Sequence, residues 1–131
     1  MVEAIVLARA FVAQWDRSTP PLDALRARFD AGLAWVSRPL GLGGLGLSAD
    51  DQHSVDEVFA DAGFPGNNAA ANGIGLGMAA PTVLAVGTHE QKERYLRPLW
   101  TGEEIWCQLF SEPGAGSDLS LIHISEPTRP Y

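Results

Sequence analysis

The residues best suited to chemistry stand together at Trp106-Cys107-Gln108-Leu109-Phe110-Ser111-Glu112-Pro113-Gly114-Ala115-Gly116-Ser117-Asp118. Ile105 to Phe110 is an apolar run of strand length, and it delivers a hydroxyl and a carboxylate, Ser111 and Glu112, to a Pro-Gly turn. Gly116-Ser117-Asp118 follows, so backbone N–H groups and small hydroxyls converge on one concave spot. Such a loop suits the polar edge of a ring and a phosphate. The competing reading is an ordinary strand that ends in a turn, and the residues upstream must separate the two. Cys107, the single cysteine, excludes an intramolecular disulfide and a multi-cysteine metal site, and reads as a small buried strand residue.

Ser111 to Asp118 matches, in order and without a gap, the pattern Thr/Ser-Glu-Pro-x-Ala-Gly-Ser-Asp, and the chain here closely resembles the flavin-contacting strand and loop of the acyl-CoA dehydrogenases. A second resemblance stands upstream. Gly87-Thr88-His89-Glu90-Gln91-Lys92-Glu93-Arg94-Tyr95-Leu96, followed by Gly102-Glu103, is similar to the family's Gly-Thr/Ser-x-x-Gln-Lys-x-x-Tyr-Leu pattern, which leads into the same strand.

The resemblance implies FAD-dependent α,β-dehydrogenation of a fatty acyl-CoA thioester. It implies that Gln108, Leu109 and Phe110 flank the isoalloxazine through backbone and packing, and that the Ser111 hydroxyl and nearby N–H groups meet its N5/O4 side. Donors fixed there stabilise the reduced ring. Gly116 would permit close backbone approach, and Ser117 would be shared between the FAD phosphates and the CoA arm of the substrate. Glu112 would orient the turn and Asp118 brace the loop. No residue here takes the part of the catalytic base, which in the resembling enzymes is a glutamate of a C-terminal domain. The partners implied for a full-length parent are acyl-CoA, an electron-transfer flavoprotein, and one or three further copies in a homodimer or homotetramer. Acyl-CoA oxidase and nitroalkane oxidase relatives share these features and are not separated from a dehydrogenase by these residues. A small non-enzymatic helical interaction domain is the alternative from another class.

The elements that must position the loop read as helices joined by proline and glycine, so the fold class is mainly α. The resemblance divides the chain into an N-terminal all-α domain at 1–102 and the first strand of a truncated middle β-domain at 103–118. Leu119 to Tyr131 leaves the family pattern at once and looks like a translated sequencing adapter, a non-native tail; a genuine strand over Leu119–Ser125 is the rival reading. The 131 residues, 46% of them hydrophobic, suffice for one domain and its core. Nine Lys and Arg against sixteen Asp and Glu give a formal charge of −7, which disfavours nucleic acid and anionic membranes. With Glu3 where a secretory signal carries a basic residue, and no apolar run of spanning length, the chain reads as a soluble cytoplasmic protein.

Val2 to Trp15 is dense enough in apolar residues to bury one broad face, with Ile5, Val6, Ala8, Ala10, Phe11, Val12 and Trp15 on it. A second helix starts at Pro21, with Leu22, Leu25, Phe29 and Leu33 at spacings of three and four, and is predicted to run to about Val36. Gly41-Leu42-Gly43-Gly44-Leu45-Gly46 contains the G-x-G-x-x-G pattern, but a helix rather than a strand precedes it; it reads as a flexible connection. Ser48 caps a third helix that carries Val55, Val58, Phe59 and Ala62 and stops at Gly63. Thr88-His89-Glu90-Gln91 is a capping box. His53 and His89 read as surface residues without chemistry, since neither has a metal-spaced partner. Gly73, Gly75 and Gly77 sit in an otherwise helical stretch, where each costs about 1 kcal/mol relative to alanine. Close helix packing would offset that; the resemblance to the family implies instead room for a long or branched acyl chain.

Overall fold

Residues 2–107 are described by a computed structural model of the chain. Among them, five α-helices form the frame: α1 (Val2–Gln14), α2 (Pro21–Asp30), α3 (Gln52–Asp61), α4 (Ala80–Val86) and α5 (His89–Thr101). Two 3-10 turns, Ala49–Asp51 and Ala69–Asn72, and a π-helical turn, Gly75–Ala79, complete it. The β-type pairing among the described residues is an isolated bridge between Leu40 and Gly44. The fold is mainly α, as the sequence suggests.

The core lies where α1 meets α3 and where α2 and α4 meet α5. Phe59, Leu33, Leu96, Leu99, Val36 and Val55 are its largest fully buried apolar side chains. The buried face of α1 is narrower than its composition suggests. Ala4 and Ala8 are fully buried, Phe11, Val12 and Trp15 are half-buried, and Val6 and Ala10 are exposed. Small residues one turn apart let α1 approach α3, and rings fill the wider gap beyond: Phe11 stands 5.6 Å from Phe59, and Trp15 stands 4.8 Å from Phe64.

The second helix ends at Asp30, six residues before the expected Val36. Gly32 at φ +80° stops it, and a Cβ there would press on Leu45 and the Gly44 carbonyl. Leu33 and Val36 are buried all the same, because the chain beyond the helix folds back into the core. The glycine-rich connection is held by backbone hydrogen bonds. Gly41, Gly43 and Gly46 have φ of +82°, +90° and +65°, as expected of glycine, but the loop is tied down. Ala34 and Trp35 N–H both donate to Gly43 O at 3.1 Å, and Leu45 and Leu47 N–H donate to Val36 O at 3.1 and 3.0 Å.

One buried cation locks this region. Arg28 lies 3.8 Å over the Phe59 ring, donates through Nε to Leu33 O at 2.9 Å, and through Nη2 to Asp56 at 2.7 Å. Burial pushes its pKa down, and Asp56 works against that. Gln52 adds a second tie, accepting from Val36 N–H at 2.8 Å and donating to Ala34 O at 3.1 Å.

Ser48 accepts from Asp50 N–H at 3.2 Å, and the 3-10 turn it opens leads into α3, which stops at Gly63 with φ +75°. Val55 and Phe59 are buried and Val58 and Ala62 half-buried, as the spacing predicts. The helical path from 73 to 86 is continuous but changes register. Pro81 has no N–H to donate, and the wider π turn just before it accommodates the loss; the Thr82 hydroxyl donates to Met78 O at 2.8 Å. The Thr88–Gln91 capping box is present in both directions, at 3.1 and 2.8 Å.

Candidate functional site

The helices deliver the chain to a defined exit. Gly102, at φ +85°, ends α5 and reverses the direction, and Glu104 N–H donates to Pro98 O at 3.0 Å. Residues 103–107 then run back along α5. Glu103 is held by Arg26 of α2, with Nε to Oε1 at 2.9 Å and Nη2 to Oε2 at 2.5 Å, and that pairing holds its carboxyl below the usual carboxylate range. Glu104 takes a two-point grip from Arg94 at 3.1 and 2.9 Å, which raises the arginine's pKa. Arg97 grips Asp30 at 2.9 and 2.7 Å and joins α5 to α2.

Asn72 holds the backbone of the same segment. Its Nδ2 donates to Leu99 O at 2.9 Å and to Glu104 O at 3.2 Å, and its Oδ1 accepts from Trp106 N–H at 3.1 Å. The Trp106 ring meets Tyr95 edge-on, with centroids 5.4 Å apart at 84°. On its other side Trp106 and Cys107 close a groove of about 210 Å³ with Ile74, Met78, Ala79, Thr82 and Val83. Met78 is 50% exposed, so this groove is open and mostly apolar. Cys107 is exposed, not buried as the sequence suggests, because the lead-in lies on the surface of α5.

Gln108, Leu109, Phe110, Ser111, Gly116 and Ser117, the residues expected to touch a cofactor or substrate, lie outside the described residues. What the fold positions is the segment that feeds them. His53 and His89 are exposed and paired with Glu57 and Glu93 at 2.7 Å, one turn on. Among the described residues no group of three His, Cys, Asp or Glu could hold a metal ion, and no helix is long and apolar enough to cross a membrane. A larger cavity of about 420 Å³ lies beside Arg28, Gln52 and Asp56, whose polar atoms already bind one another or nearby carbonyls.

Residues 2–103 match the family described as "Acyl-CoA dehydrogenase, N-terminal domain", and the match ends where the chain leaves α5. The chain belongs to the acyl-CoA dehydrogenase family. Acyl-CoA dehydrogenase IpdE1 of Mycobacterium tuberculosis is 39% identical over 92 residues, which are 70% of this chain and 23% of that protein. Acyl-CoA dehydrogenase FadE34 of the same organism is 64% identical over 44 residues, 34% of this chain and 6% of that protein. The 3-(aryl)acrylate reductase of Clostridium sporogenes is 32% identical over 105 residues, 78% of this chain and 26% of that protein. The chain thus spans about a quarter or less of the curated relatives it matches. No solved structure matches it. The five helices all lie within the matched residues, and among the described residues no strand precedes Gly41.

Sequence reasoning missed Asn72, Arg28 and Gln52. A single asparagine amid Ala69, Ala70, Ala71 and Gly73 was the available signal, since a buried amide in such a stretch must find backbone partners.

Proposed function

We propose that this chain is the N-terminal part of an FAD-dependent acyl-CoA dehydrogenase that carries out α,β-dehydrogenation of a fatty acyl-CoA thioester. In this reading the helical domain ends at about residue 102, and residues 103–118 begin the middle β-domain. The family match over residues 2–103, running directly into Ser111-Glu112-Pro113-Gly114-Ala115-Gly116-Ser117-Asp118, is the observation that carries the proposal.

The described residues fit a flavin site as one wall of it. Trp106 is held by its N–H and by its ring, and the adjoining groove of Ile74, Met78 and Val83 is apolar and open, as a thioester's acyl chain requires. FAD, when bound, supplies the acceptor for the β-hydrogen as hydride. The chain's own part is to orient. Gln108, Leu109 and Phe110 would lie along the ring, Ser111 would donate to its N5/O4 edge, and Gly116 and Ser117 would let the backbone approach the phosphates and the CoA arm. The base that removes the α-proton, most of the cofactor cradle, and the contacts with an electron-transfer flavoprotein and with further copies belong to the rest of the parent.

Gly75 has a packing explanation, because a Cβ there would overlap the Asn72 amide and fall 2.5 Å from Leu99 Cδ1. The acyl-chain reading therefore rests on Gly73 and Gly77, which have open space around them.

The test is expression of the complete gene product. We expect a yellow protein whose flavin absorbance bleaches on adding a saturated acyl-CoA and whose product is the trans-2-enoyl thioester. A colourless product that ignores thioesters would sink the reading.

A further inference from the structure

We propose that Asn72 is a positioning residue that sets the register of the segment leading into the flavin-contacting strand; this rests on the function proposed above. Asn72 is 1% exposed, and three of its four hydrogen-bonding positions, both N–H donors among them, are spent on main chain. One N–H satisfies Leu99 O, among the last four carbonyls of α5, which have no partner inside the helix. The amide also takes Glu104 O and Trp106 N–H, two groups that alternate along an extended segment and so lie on one edge. A single side chain therefore acts as the neighbouring strand would, offering a donor and an acceptor at the spacing of a ladder. Ile105, between them, is 55% exposed.

The surroundings are built around this amide. Gly75 leaves the volume that Asn72 and Leu99 occupy, and any side chain there would displace the amide. Tyr95 and Arg94, adjacent on α5, hold Trp106 and Glu104 from the other side. Gln108 follows Trp106 by two residues and Ser111 by five, so the held residues stand immediately before those that the proposed function sets against the ring.

In the complete flavoenzyme, N72A leaves two carbonyls and an N–H without their partner. N72D keeps an acceptor for Trp106 N–H but sets a carboxylate against both carbonyls. Each is expected to lower kcat about 10- to 100-fold, with KM for acyl-CoA within about threefold and a shifted visible flavin band, the signature of misplaced reacting groups. G75A is expected to reproduce that signature, because its Cβ would displace the same amide. Variants that lose thermal stability while keeping kcat and the flavin spectrum would overturn the proposal, since a merely structural residue behaves that way.

A wild-type product without flavin would refute the function proposed above and not the anchor, which is read separately in the 131-residue chain by hydrogen exchange. There the Trp106 amide should be protected at least about tenfold over an unstructured peptide and lose that protection in N72A, while Leu96 in α5 keeps its own. A Trp106 amide that exchanges freely in the wild-type chain would overturn the anchor.

Discussion

Gly75 and Gly77 are two residues apart on one helical path, yet substitution is expected to move stability in opposite directions. Gly75 is buried against Asn72 and Leu99, and G75A should destabilise the chain by about 1–3 kcal/mol through overpacking. Gly77 has nothing within 4 Å of the Cβ position and no positive φ, so G77A should stabilise it by about 0.5–1 kcal/mol through helix propensity and a less flexible unfolded state. Urea denaturation of the two variants measures this; equal losses would mean that the space beside Gly77 is not open. The sequence registers three glycines alike, and only the position of Asn72 distinguishes them. The same holds for Arg28: like Arg26 two residues before it, an arginine in an amphipathic helix looks like a solvated charge. It is buried because Leu33 O, just past the helix end, and Phe59 and Asp56, distant in sequence, converge on it.

At the scale of elements, α2, α5 and the exit segment are clasped by three arginine–carboxylate pairs, and in one of them Arg26 holds the Glu103 carboxyl below the ordinary carboxylate range. Glu103's folded-state pKa lies below its ordinary value of 4.5, so the unfolded chain takes up its proton first as pH falls. The stability contributed by the pair is therefore complete above about pH 5 and is lost as pH drops through the depressed value. E103Q should melt about 1–4 °C below the wild-type chain at pH 6, and the gap should close as pH approaches 3. Melting curves at a series of pH values give the answer, and a gap that stays constant with pH would refute the assignment. Helix starts were legible here because they are local: Pro21, Ser48 and the Thr88–Gln91 box each act within one turn. The end of α2 was not, since the apolar spacing carries on through Leu33 and Val36 although Gly32 has already turned the chain.

For the whole molecule, the five helices supply a core and, in the function proposed above, only one side of a flavin site. The 131-residue chain, purified with excess FAD, is expected to be helical by circular dichroism, colourless, and without acyl-CoA turnover. Absorbance near the flavin band and an enoyl-CoA assay decide it, and a yellow, active preparation would contradict the division of labour proposed above. By itself the sequence determined the helical class, the helix starts and the family, because periodicity, caps and an ungapped motif are properties of neighbouring residues. Tertiary structure alone decided which apolar residues of α1 are covered, where the glycine loop is pinned, and that Asn72 grips the exit of α5. Those outcomes depend on groups from nine residues apart, as Ala34 and Gly43, to forty-eight, as Phe11 and Phe59, meeting in space, and no local pattern encodes which buried amide will reach which carbonyl.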